Sequence, residues 1–117
     1  MNNIKSLDIE QFRELILDYK DGSDAKYKIK RNTIIEFYLT MCAHCVAMWK
    51  IVEQAEQEFP DIDFYKIEAS EHPKLAEIYD VRGTPTFVLI PLKGHIKIVY
   101  GEMSLDKFVN IIKETFS

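Results

Sequence analysis

The chain's two cysteines, Cys42 and Cys45, lie in Thr40-Met41-Cys42-Ala43-His44-Cys45, directly after the largely apolar run Ile34-Ile35-Glu36-Phe37-Tyr38-Leu39. A strand that ends in C-x-x-C and feeds a helix carries one thiol onto the helix's first turn. There it meets unpaired backbone N–H groups and the positive end of the macrodipole. Both favour thiolate over thiol, and the thiolate is the reactive form. The second cysteine, three residues on, shares that helical face and is close enough to close a small disulfide ring. So short a loop staples almost nothing, so the pair reads as chemical rather than structural. Zinc sites use the same spacing. A structural zinc takes four ligands, however, and the chain has no second C-x-x-C, with His72 and His95 lying elsewhere.

The elements that must position this pair follow from hydrophobic period and turn residues. Asp8 and Gln11 have capping-box spacing, and Ile9, Phe12, Leu15, Ile16 and Tyr19 fall on one face at helical period. Lys20 to Asp24 is a turn-rich connector, and a buried strand is expected over Thr33–Leu39. A helix follows from Cys42 to Phe59 with Cys45, Met48, Val52, Ala55 and Phe59 as its stripe, and Pro60-Asp61 stops it. A second strand, Asp63–Glu68, leads to a short helix from Pro73 to Tyr79. Val81 to Pro85 reads as a turn and Thr86–Ile90 as a third strand. Gly94 supplies the hairpin turn before an antiparallel return over Ile96–Tyr100. After Gly101 a last amphipathic helix presents Leu105, Phe108, Val109, Ile112 and Phe116. The order αβαβαββα implies an α/β fold: one mixed sheet with helices on both faces.

Four features together resemble the thioredoxin family. They are Cys42-Ala43-His44-Cys45 at the strand-to-helix junction, Gly83-Thr84-Pro85-Thr86 before a strand, Glu36 in the strand leading to the cysteines, and Lys66 in the next strand. The match runs from about Asp8 to Phe116 and includes Gly94 and Gly101. The resemblance implies a thioredoxin fold over residues 1–117 as one domain, with Cys42 as nucleophile and Cys45 as resolving thiol. It implies a cis bond at Pro85 facing Cys42, where the backbone of Thr84 pairs with a substrate strand. It also implies that Lys66 partners Glu36. The apolar neighbours of Glu36 bury its strand on both faces, which makes its carboxylate costly unless paired. With a raised pKa, Glu36 could take the proton of Cys45 as that thiol attacks a mixed disulfide.

His44 stands where protein disulfide isomerase and the periplasmic disulfide oxidase also carry histidine and ordinary thioredoxin carries proline. An imidazole beside the Cys42 sulfur would stabilise the thiolate and make the disulfide more oxidising. Other positions depart from the family. Tyr38 and Met41 replace its two tryptophans, Ala43 its first inter-cysteine glycine, and Lys50 the proline that kinks its active-site helix. Met41 keeps an apolar rim for a substrate but not the tryptophan's shape. Trp49 falls inside the helix as packing.

The composition is that of an ordinary globular protein: 117 residues, 47% hydrophobic and 29% charged. A net charge of −4 argues against a nucleic-acid surface, and no apolar run is long enough to span a bilayer. Met1-Asn2-Asn3-Ile4-Lys5 lacks an apolar leader, so a cytoplasmic location is expected, or the cell envelope if a leader was trimmed. No nicotinamide or flavin fingerprint appears. The expectation is a monomer without cofactor beyond the Cys42–Cys45 disulfide, and without metal. It would act on disulfide-containing protein substrates, with an external donor protein or small thiol to re-reduce it. A non-catalytic module that holds an extended peptide at the proline groove is the other reading.

Overall fold

The computed structural model describes residues 3–117; Met1 and Asn2, the start of the segment read above for a leader and for the domain, lie outside the described residues. The elements in chain order are β1 (Lys5–Ser6), α1 (Ile9–Leu15), a 3-10 segment (Tyr19–Asp24), β2 (Thr33–Tyr38) and α2 (Ala43–Glu58). After these come β3 (Asp63–Glu68), α3 (Pro73–Ile78), β4 (Thr86–Ile90), β5 (Lys97–Tyr100) and α4 (Leu105–Phe116). Five strands form one sheet in the order β1-β3-β2-β4-β5. β1 and β2 run parallel to β3, while β4 runs antiparallel to β2 and to β5.

Alternation along the strands divides the core into two layers. Ile34, Phe64, Phe87 and Leu89 face Met48, Val52 and Ala55 of α2 and Phe108 and Ile112 of α4. Ile35, Phe37, Ile67 and Val88 face Phe12 of α1 and Leu75 of α3. β2 is the central strand, and all six of its residues are buried.

Helix boundaries have local causes. The Asp8 carboxylate accepts from Gln11 N–H at 2.8 Å while Gln11 accepts from Asp8 N–H at 3.0 Å, a complete capping box. α1 ends at Leu15, earlier than its apolar period suggests, and Tyr19 opens the 3-10 segment instead. The returning chain accounts for this: Lys28 N–H donates to Ile16 C=O at 2.7 Å, and Leu17 bridges Tyr27. β1 is a two-residue strand that the periodicity does not show. Gly94 and Gly101 take positive φ of 104° and 93°, conformations that suit glycine at these turns.

Candidate active site

β2 delivers the chain to the C-terminal edge of the sheet, and Thr40-Met41 turns it into α2. Cys42 is the N-cap, one residue before the helix rather than on its first turn, with φ −130° and ψ 109°. Cys42 and Cys45 are joined as a disulfide, their Cα atoms 5.2 Å apart. Cys45 is fully buried, whereas Cys42 is only partly covered.

Two donors point at the Cys42 sulfur. The Cys45 backbone N–H lies 3.2 Å from Sγ and the Thr84 hydroxyl 3.3 Å from it. Both stabilise negative charge on that sulfur once the disulfide opens. The Thr84 carbonyl oxygen is 3.6 Å away. The oxidised sulfur has no proton, so this oxygen becomes a hydrogen-bond acceptor only for the reduced thiol. The Thr84–Pro85 bond is cis, and Pro85 C=O accepts from Gly101 N–H at 2.8 Å. Met41 projects beside Cys42 with 96% of its surface exposed.

Glu36 and Lys66 are register partners across β2 and β3, and alternation puts both on the face that carries α2. They are 3% and 7% exposed. Burial pushes the Glu36 carboxyl up to about 8, against the downward pull of Lys66. Burial likewise lowers Lys66, opposed by Glu36. The Glu36 Oε2 atom is buried and makes no hydrogen bond to the protein, so burial outweighs the lysine's attraction. Lys66 Nζ also stands 6.0 Å from the centroid of the Tyr38 ring, so its charge is shared with a π-face.

His44 is the second residue of α2 and is largely exposed. Its Nδ1 pairs with Glu102 Oε1 at 2.8 Å across an open groove of about 540 Å³ whose walls include Thr84, Ile51 and Met103. Glu102 is the site residue that sequence reasoning missed. The Thr84 hydroxyl on Cys42 was also not foreseen, although Thr84 itself was marked for its backbone. Among the described residues no cluster of three or more His, Cys, Asp or Glu could hold a metal ion, and no helix is long and apolar enough to cross a membrane.

The sequence profile of the thioredoxin family matches residues 5–114. A thioredoxin of Borreliella burgdorferi is 32% identical over 95% of this chain and 96% of its own length. A probable protein disulfide-isomerase A6 of Medicago sativa is 32% identical over 90% of this chain, which spans 27% of that relative. The oxidised crystal structure of mitochondrial thioredoxin 3 from Saccharomyces cerevisiae superposes with a TM-score of 0.76 at 28% identity, covering 95% of this chain and 94% of that one. An α/β sheet with a dithiol at the head of its central strand thus defines a thiol–disulfide oxidoreductase. The chain belongs to the thioredoxin family, and its redox centre is the Cys42–Cys45 disulfide.

Proposed function

We propose that the protein reduces disulfides in protein substrates through a mixed-disulfide intermediate. The observation that carries this reading is the asymmetry of the two sulfurs: Cys42 is partly exposed with two donors aimed at it, and Cys45 is sealed in the core. In the reduced protein the Cys42 thiolate attacks one sulfur of the substrate disulfide. A Cys42–substrate S–S bond forms, and the other substrate cysteine leaves as a thiolate that takes a proton from water. Cys45 then gives its proton to Glu36 and attacks Cys42 Sγ. The Cys42–Cys45 bond forms and the second substrate thiolate departs and takes a proton from water, while Glu36 returns the Cys45 proton to water, so the substrate gains two electrons and two protons. Lys66 holds Glu36 within reach of both protonation states. Met41, Thr84 and Pro85 form the substrate seat, with an extended segment pairing along the Thr84 backbone. An external protein or small thiol restores the dithiol. We place the protein in the cytoplasm as a monomer. Reduction of insulin by dithiothreitol is the direct test: catalysis above the uncatalysed rate is expected, and a module that only binds peptide gives none.

In the oxidised protein His44 pairs with Glu102 rather than with the Cys42 sulfur, so in this reading it sets the poise by turning its imidazole toward the thiolate once the disulfide opens. With histidine in place of proline between the cysteines, we expect a potential of roughly −190 to −250 mV, above the ~−270 mV of thioredoxin. His44 occupies the helix's first turn, where its N–H has no intrahelical acceptor, so proline is sterically acceptable there. His44→Pro should lower the potential by some tens of millivolts, where ~30 mV corresponds to ~1.4 kcal/mol. Equilibration with glutathione measures it. A wild-type value at or below ~−270 mV with no downward shift in the variant would make His44 a bystander.

A further inference from the structure

Glu102 follows the positive-φ Gly101 on the loop between β5 and α4, and this loop is tied to the proline loop by the 2.8 Å bond from Gly101 N–H to Pro85 C=O. The tie sets the Glu102 carboxylate beside the groove that starts at Thr84, whose hydroxyl touches the reactive sulfur. Among the described residues no lysine or arginine lines that groove, and Glu102 is its one carboxylate. Its present partner is the imidazole of His44, which is charged only when protonated, and the two side chains are 73% and 41% exposed. An exposed ion pair of this kind is weak and readily exchanged. A lysine or arginine keeps its charge throughout and offers several donors.

We propose that Glu102 is a specificity-determining residue that selects substrates with a basic side chain within two residues of the reactive cysteine, His44 being the internal stand-in for that side chain. The inference rests on the disulfide-reducing reading above. When the substrate segment lies along Thr84 with its cysteine at Cys42, a neighbouring side chain is directed into the groove. A cation there displaces His44 and pairs with Glu102. An acidic side chain meets a like charge there, which suppresses wrong partners.

The test uses one disulfide-linked peptide in which each of the two residues on either side of the cysteine is set in turn to Lys, Gln or Glu. With the wild-type protein, kcat/KM should fall in that order, by about threefold or more from Lys to Glu at the best position. The difference should reside in KM and shrink as salt is raised. Glu102→Gln should level the series and Glu102→Lys should invert it, an inversion that loss of fold or of general activity cannot produce. Equal wild-type rates for all three peptides overturn the inference and leave the exchange chemistry standing. Failure to reduce any of them overturns both.

Discussion

Cys42→Ser abolishes turnover, whereas Cys45→Ser gives a protein that accumulates as a mixed disulfide with its substrate. The division follows from position. Cys42 caps the helix with its sulfur at the protein surface, and the Cys45 N–H and the Thr84 hydroxyl stabilise its thiolate. Serine at this position has a hydroxyl that ionises far above neutral pH and cannot exchange with a disulfide. Cys45 has no exposed surface, so no bulky substrate disulfide reaches it, and it can act only on the neighbouring sulfur of Cys42. Without Cys45 the first bond forms and the second never does. Non-reducing electrophoresis of each variant after incubation with a disulfide substrate reads the difference directly. Alkylation of the reduced wild-type protein at mildly acidic pH should modify Cys42 first, and faster modification of Cys45 would reverse the assignment.

Glu36→Gln should slow the resolving step by on the order of a hundredfold, the low end of the range for a displaced general base, while leaving the initial attack by Cys42 little changed. Single-turnover traces separate the two phases, and unchanged resolution would remove Glu36 from the mechanism. The same variant has a stability signature with a definite sign. The folded-state pKa of Glu36 is raised from 4.5 to about 8, by burial above all and despite Lys66. The folded protein therefore holds the proton more tightly than the unfolded chain does. The stability this contributes is fully present below the unfolded pKa of about 4.5 and is lost as pH rises through about 8. At about pH 9 the ionised, buried carboxylate costs on the order of 3–5 kcal/mol relative to the protonated form. Glutamine resembles the protonated acid at every pH. Urea unfolding should therefore show the variant close to wild type at about pH 5 and more stable at about pH 9. A difference that stays flat across this window would falsify the coupling of Glu36 ionisation to folding.

Most of the sheet was legible because its strands carry enough residues to display alternation or a continuous apolar run. β2, β3 and β4 stand where the sequence places them, within a residue at the ends. β1 was not legible. Its two residues are too few for any pattern, and they form a strand because Leu7 N–H and the register with Tyr65 and Lys66 fix them from across the fold. The C-terminal end of α1 was lost for a related reason: Tyr19 keeps the helical period, but hydrogen bonds from the returning chain decide where the helix stops. At the site, the cysteines could be read from their spacing, and the proline loop and the Glu36–Lys66 juxtaposition from the resemblance to the thioredoxin family that these motifs carry. The His44–Glu102 pair joins residues 58 positions apart. Glu102 has no motif of its own, since an acid after a turn glycine is ordinary surface until the fold brings it to the histidine.

The loop bearing Glu102 is fastened at two points. Gly101 donates to Pro85, and Met103 N–H is held at 3.2 Å by the thioether of Met48, buried in the middle of α2. Neither fastening involves the cysteines. The proline loop, the acidic loop and the active-site helix are thus tied to one another directly along the groove. A partner arriving at this groove does not have to order it, and little conformational freedom is lost on the protein's side when the complex forms. Most of the ordering on docking then falls to the partner's segment, which makes a flexible, extended stretch around the substrate cysteine the part whose stiffness governs how tightly complexes hold.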